Sequence, residues 1–321
     1  MEENLIEEIA SSMAGILNCA QLRALREVLR SKLKRKTPQP EANEDLLYSF
    51  LQAKKIEGRS EKTLEYYEAT ILAMLEKFDI PLCQITSAQL RSYLNAYQQE
   101  RMSSKVTIDN IRRIFSSFFS WLEDEEYIVK SPVRRIHKVK APEVVRETIS
   151  DEEMEKLREA CENKRDLAIV DLLASTGMRV GELVRLNIAD LNLIERECLV
   201  TGKGNKQRKA YFDARTKLHL ESYLNTRTDD NPALFISLGG HQKRLRVGGV
   251  ELRLRNLGNK LDLSRIHPHK FRRTLATNAI DKGMPIEQVQ KLLGHARIDT
   301  TMHYALVNQN NVKLSHRRYL G

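Results

Sequence analysis

The chain has 321 residues, with 53 Lys and Arg against 43 Asp and Glu and a formal charge of +10; the length suits two domains, and the charge suits a polyanionic partner, nucleic acid ahead of an anionic membrane surface. It contains no run of about 18 apolar residues, and its opening Met-Glu-Glu-Asn is unlike the basic-then-apolar start of a secretory signal, so a soluble, cytoplasmic protein with no membrane span is expected. The four cysteines, Cys19, Cys83, Cys161 and Cys198, form no C-x-x-C pair, which argues for reduced thiols rather than disulfides or structural zinc.

In chain order, Ile9, Met13, Ile16 and Leu17, then Leu22, Leu25, Leu29 and Leu33, recur at helical spacing and predict one long helix or a helical pair over 5–33. The Arg-Lys-Thr-Pro-Gln-Pro stretch at 35–40 breaks it and reads as a linker. A second helical block runs from Asn43 to Leu122, with Ser60 as the N-cap of a stripe of Leu64, Tyr67, Ile71, Met74 and Leu75. Its last helix carries Ile111, Ile114, Phe115, Phe118, Phe119 and Leu122. From Ser131 to Pro142 two prolines and four Lys or Arg residues with little periodicity read as the start of an interdomain linker.

A capping box of Ser150 and Glu153 opens a third block, helical through Leu157 and Leu167 to Leu186. Between Glu197 and Phe212 the pattern changes to two short strands joined by a glycine-rich turn, and helices are expected from there to the end. The domains expected are a helical extension at 1–36, a helical DNA-binding domain at 41–138, a linker at 139–149 and a catalytic domain at 150–321. The fold class is mainly α, with a small antiparallel β-sheet in the α+β second domain.

Four local signals lie in the last block. Ser-Thr-Gly-Met-Arg-Val-Gly-Glu-Leu at 175–183 places Arg179 after a glycine turn and before an apolar helix face. Thr-Gly-Lys-Gly-Asn-Lys at 201–206 sets Lys203 between glycines in the hairpin turn, without the spacing of a Walker motif. His-Pro-His-Lys-Phe-Arg at 267–272 puts His269 and Arg272 three residues apart, on one face of a helix beginning near His269. Leu-Leu-Gly-His at 292–295 is followed nine residues later by Tyr304. Singly, each has an ordinary reading: a solvated arginine, a basic turn, a basic first helical turn, or packing. A metal fits poorly at 267–272, since no third ligand is suitably spaced and the arginines repel cations.

Together, in this order, the four motifs resemble the catalytic domain of the tyrosine recombinase family, the phage integrase and Xer group, over about Ser150 to Ala305. The preceding helical block is similar to the family's core-binding, SAM-like domain in size, helicity and position. The resemblance implies six active-site residues, Arg179, Lys203, His269, Arg272, His295 and Tyr304, and no cofactor or metal. It also implies double-stranded DNA with specific recombination sites as partner, and a homotetramer on synapsed DNA. Arg273 departs from the pattern, because many relatives carry His there, and Glu182 matches an acidic position that supports the site. Tyr319 is another nucleophile by residue type but stands outside the His295-to-Tyr304 spacing.

The chemistry explains the residue types. Two arginines donate paired hydrogen bonds to phosphate oxygens, a fork that lysine lacks. A tyrosine, pKa about 10, needs a base and a bound phosphate to attack. The resemblance makes His269 that base, Lys203 the general acid for the 5′-oxygen, and His295 a hydrogen-bond donor to the phosphate. Arg134, Arg135, Lys138 and Lys140 are candidates for DNA-backbone contact. Two other readings stay open at this point, a type IB topoisomerase-like relaxing activity and a noncatalytic DNA-binding regulator. The segment after Tyr304, 307–319, is read either as a closing helix or as a segment that docks on a neighbouring protomer.

Overall fold

The computed structural model describes residues 2–33, 42–78, 80–140, 147–202, 207–240, 242–263 and 265–305. The chain forms two compact units, Met1–Glu143 and Val144–Gly321.

The first unit is helical. Its opening stretch is a pair, α1 (Glu2–Met13) packed on α2 (Cys19–Leu33). Asn18 separates them, because its side chain accepts from the Gln21 N–H at 2.9 Å while Gln21 Oε1 accepts from the Asn18 N–H at 3.1 Å. That reciprocal cap restarts the helix. Four helices follow, α3 (Asn43–Ile56), α4 (Glu61–Leu75), α5 (Ser87–Glu100) and α6 (Lys105–Asp124). Ser60 caps α4 by accepting from the Thr63 N–H, as its position in the sequence predicts.

Along α6, Ile108, Ile111, Ile114, Phe115, Phe118, Phe119 and Leu122 recur at three and four residues, so one face is wholly buried. It meets Phe50, Ile71, Met74 and Leu90, with the Phe50 and Phe118 rings edge-on at 5.1 Å. The stretch read as the start of a linker packs here instead. A 3-10 turn at Pro132–Arg135 buries Val133, and Ile136 and Val139 lie against the same core. Asp109 fastens this segment to α6, accepting from the Val139 N–H at 3.1 Å and from Arg112 Nε at 2.9 Å. Burial opposes that charge, but these hydrogen bonds and Arg113 outweigh it and hold the carboxyl below its usual range.

The second unit begins with α7 (Asp151–Glu159), where both arms of the Ser150–Glu153 capping box are formed. At its centre is α8 (Lys164–Thr176), in which Ala168, Ile169, Val170, Leu172 and Leu173 are all buried. Then come α9 (Val180–Leu183) and a three-stranded antiparallel sheet in the order β1 (Leu191–Asn192), β2 (Glu197–Thr201), β3 (Gln207–Tyr211). Cys198 pairs with Ala210 and Val200 with Arg208, and this face turns to the core. The chain continues through α10 (Ala214–Leu224), α11 (Val247–Lys260), α12 (Pro268–Asp281), α13 (Ile286–Leu293) and α14 (Asp299–Ala305).

A helix resumes directly after the hairpin as expected, but helices do not run without interruption from there to the end. Between α10 and α11 the chain is irregular, and two arginines hold it. Arg227 binds Asp229 and the carbonyls of Asn231, Ala233 and Leu234, and Arg244 reaches back to the carbonyls of Val184 and Leu186. Guanidinium donors there add to two isolated backbone bridges, Asn187 with Ala233 and Ile236 with Arg244.

Candidate active site

Two glycines in left-handed conformation shape the site. Gly177, φ 58°, ends α8 and turns the chain toward Arg179. A Cβ there would stand 2.7 Å from Leu275 Cδ2, so both the conformation and the space require glycine. Gly294, φ 65°, ends α13 and turns the chain into His295.

Arg179 is the N-cap of α9 and is held by Glu182. One carboxylate oxygen accepts from the Arg179 backbone N–H at 2.9 Å and the other from Nη1 at 3.0 Å. Arg179 Nη2 lies 3.3 Å from the Gly294 carbonyl. The Glu182 side chain is only 3% exposed while that of Arg179 is 40% exposed. Burial alone raises the Glu182 pKa, yet the Arg179 N–H and the guanidiniums of Arg208 and Arg179 bring it below the ordinary value.

Arg272 arises from α12, which His267 caps by accepting from the Lys270 N–H at 3.0 Å and which begins with Pro268 at its first position. The guanidinium is buried, with Nη1 on the Gly177 carbonyl at 2.8 Å and Nη2 on the Leu293 carbonyl at 2.6 Å. Two backbone acceptors thus set its plane. Burial, then the positive charge of Arg179, pushes it down to about 10, still protonated at neutral pH. His269 lies three residues earlier on the same helix and is open to solvent. Partial desolvation, then the charges of Arg272 and Arg179, holds its imidazole below the ordinary value.

His295 is buried, with Nδ1 2.8 Å from Thr301 Oγ1. Burial, followed by Arg272, Arg179 and Arg208, pushes its pKa down to about 4, so the ring is neutral at physiological pH. When Thr301 donates to Nδ1, the ring proton sits on Nε2, ready to be donated. The Tyr304 ring stacks on His295, centroids 6.1 Å apart at 25°. Tyr304 packs on Ala276, Ala279, Val289 and Leu293, and its oxygen is among the charges that act on Arg272.

The structure therefore gathers Arg179, His269, Arg272, His295 and Tyr304 around the Gly177 and Gly294 turns. Lys203 lies outside the described residues, in the connection between β2 and β3, and Tyr319 and the 307–319 tail also lie outside them. Among the described residues, no group of three or more His, Cys, Asp or Glu is placed to hold a metal ion, and no helix is long and apolar enough to cross a membrane.

Comparison with known proteins matches residues 147–311 to the phage integrase family. The chain belongs to that family. Residues 46–128 match the phage integrase N-terminal SAM-like domain. Tyrosine recombinase XerA of Pyrococcus horikoshii is 28% identical over 276 residues, which is 84% of this chain and 92% of that protein. Tyrosine recombinase XerC of Herpetosiphon aurantiacus is 31% identical over 226 residues, 67% of this chain and 73% of that protein. The fold is shared with a lambda integrase tetramer bound to a Holliday junction, at TM-score 0.69 and 22% identity, covering 84% of this chain and 81% of that one.

Two further residues of this integrase-family site carried no sequence signal strong enough to single them out. Thr301 orients His295 from the first turn of α14, a placement visible only once the turn is folded. Arg208 binds Glu182 across 26 positions of sequence and the Leu292 carbonyl across 84. A cation in the core-facing register of a strand is the trace it leaves in the sequence.

The four DNA-contact candidates belong to the first unit. Arg134 is exposed and pairs with Glu123 at 2.9 Å, while Arg135, Lys138 and Lys140 are exposed along and after the 3-10 turn.

Proposed function

We propose that this chain is a site-specific DNA recombinase that cuts and rejoins strands through a 3′-phosphotyrosyl bond at Tyr304. The carrying observation is that Arg179 and Arg272 are both fixed to the turn ending α13, which delivers His295 against Tyr304. A phosphate in this place meets two guanidiniums and a neutral imidazole, a set that stabilises the added charge of a pentacoordinate phosphorus.

In this scheme Arg179 uses its exposed edge, and Arg272 the N–H groups not engaged by its two carbonyls. His269, neutral because its pKa is depressed, takes the Tyr304 proton, and the phenolate oxygen attacks phosphorus. The bond to the 5′-oxygen breaks as Lys203 supplies its proton. Phosphodiester energy is kept in the phosphotyrosyl bond. A 5′-hydroxyl from a partner strand therefore reverses the step, with proton transfers in the opposite sense. Four copies on two duplexes complete an exchange, a reading supported by the shared fold of a lambda integrase tetramer bound to a Holliday junction. A DNA substrate is compatible with action in the cytoplasm of a cell without a nucleus. The exposed Arg134, Arg135, Lys138 and Lys140 serve as phosphate contacts of the first unit, with salt-sensitive affinity.

The test is a suicide duplex carrying a nick beside the cleavage site. The parent protein should become covalently attached to a 3′ end, and Tyr304→Phe should bind the duplex yet form no adduct. An adduct surviving that substitution removes Tyr304 from the mechanism.

A further inference from the structure

The reaction scheme leaves one part-buried guanidinium of the site without a task. Arg208 sits on β3 opposite Val200, two residues before Ala210 and on the same face of the strand. Its Nη2 donates to Glu182 Oε2 at 2.9 Å and its Nη1 to the Leu292 carbonyl at 2.9 Å. The side chain is 16% exposed, and Nε is buried with no hydrogen-bond partner. Gly294 stands against it, since a Cβ at Gly294 would lie 2.7 Å from Arg208 Cδ and 2.8 Å from Nε. The guanidinium thus occupies the angle between the α9 helix, where Glu182 grips Arg179, and the turn from which His295 emerges.

An orphaned buried donor weakens a fold, so stability alone does not select this arrangement. Charge gives a reason for it. A buried carboxylate facing Arg179 alone would cancel the positive charge that the arginine brings to a phosphate. With Arg208 on its second oxygen, the set Arg179, Glu182 and Arg208 keeps a net charge of one. Geometry gives another. Glu182 orients Arg179, the Leu292 carbonyl precedes His295 by three residues, and one planar fork ties the two together.

Resting on the recombinase reading of this site, we propose that Arg208 is a positioning residue for DNA cleavage, which joins Glu182 to the Leu292–Gly294 turn and so sets Arg179 and His295 around one phosphate. Because β3 follows the connection containing Lys203, the same side chain also anchors the strand leaving that connection to both arms of the site.

The experiment measures single-turnover adduct formation on the nicked suicide duplex at saturating protein, with equilibrium binding to the same duplex. The proteins are the full-length parent, Arg208→Ala, Arg208→Lys, Gly294→Ala, and Gly294→Ala combined with Arg208→Ala. Arg208→Ala should slow adduct formation roughly 100-fold at saturation, the size expected for misplacement of reacting groups, while the Kd moves by less than about threefold. Arg208→Lys keeps the charge but reaches only one acceptor, and should recover part of the rate. Gly294→Ala should slow the parent more than it slows Arg208→Ala, because truncation vacates the space its Cβ needs. Parental rates in Arg208→Ala overturn the proposal, as does a rate loss matched by an equal loss of affinity. Should Arg208→Ala fail to fold, the rate-against-affinity comparison on Arg208→Lys decides in the same way. A parent that forms no adduct retires both the recombinase reading and this one, whereas an active parent with an equally active Arg208→Ala retires this one alone.

Discussion

In the first unit the buried polar side chains among the described residues are Asp109 and Ser131, whereas the second buries Arg165, Asp166, Asp171, Glu182, Lys270, Arg272 and His295, with four threonines. Both units have apolar cores, so the contrast lies in what else is taken out of water. An aromatic cluster on α6 is enough to hold a helical domain together. Buried charges add desolvation that packing must offset, and they persist where their placement matters more than their stability. Asp171, paired with Arg158 and His219 at the centre of α8, shows that some serve the scaffold. Glu182, Arg272 and His295 instead line the pocket of the proposed chemistry.

The contrast can be broken first where it is largest. Phe118→Ala removes a fully buried ring from the first unit and should destabilise it by about 3–5 kcal/mol. Urea unfolding followed by Trp121 fluorescence, from the same helix, reads that loss. An unchanged midpoint would mean that the aromatic cluster is not what stabilises this unit. Arg272→Lys in the second unit keeps a charge but loses the planar fork, and should lower adduct formation by about 100- to 1000-fold with the helical circular dichroism retained. Near-parental cleavage would mean that the fork is not needed.

A smaller effect concerns pH. The unfolded chain takes up a proton at His295 near pH 6.5, while burial and the surrounding arginines keep the folded imidazole neutral down to about 4. The unfolded state therefore binds more protons in that window. His295 leaves stability unaffected above about pH 6.5 and destabilises the second unit as pH falls toward about 4, by roughly 2 kcal/mol between pH 7.5 and pH 5. Urea midpoints of the parent should fall further over that interval than those of His295→Asn. Equal slopes would show that His295 is not held neutral by the fold.

Much of the site was legible because its parts are local. Gly177 before Arg179, the 269–272 helical spacing and Gly294 before His295 are each set by a few adjacent residues and by turn or helix geometry. The capping residues Ser60 and Ser150 likewise announce their helices. Less visible was whatever depends on distant partners. The two-residue strand β1 exists only by pairing with β2, and the irregular chain before α11 is held by Arg227 and Arg244 rather than by its own pattern. Residues 131–139 carry a proline and the charges of a linker, yet Val133, Ile136 and Val139 find a core that periodicity did not reveal. Arg208 is the extreme case, since neither partner is near it in sequence.

The most direct test is to locate the covalent bond itself. The adduct trapped on the nicked duplex is digested with nuclease and trypsin, and the peptide running from Ile298 to Lys313 is sequenced by mass spectrometry. A nucleotide mass on Tyr304, joined through its 3′-phosphate, is the expected result. The same mass on Tyr319, on a serine, or at a 5′-phosphate would contradict the assignment of Tyr304 as nucleophile.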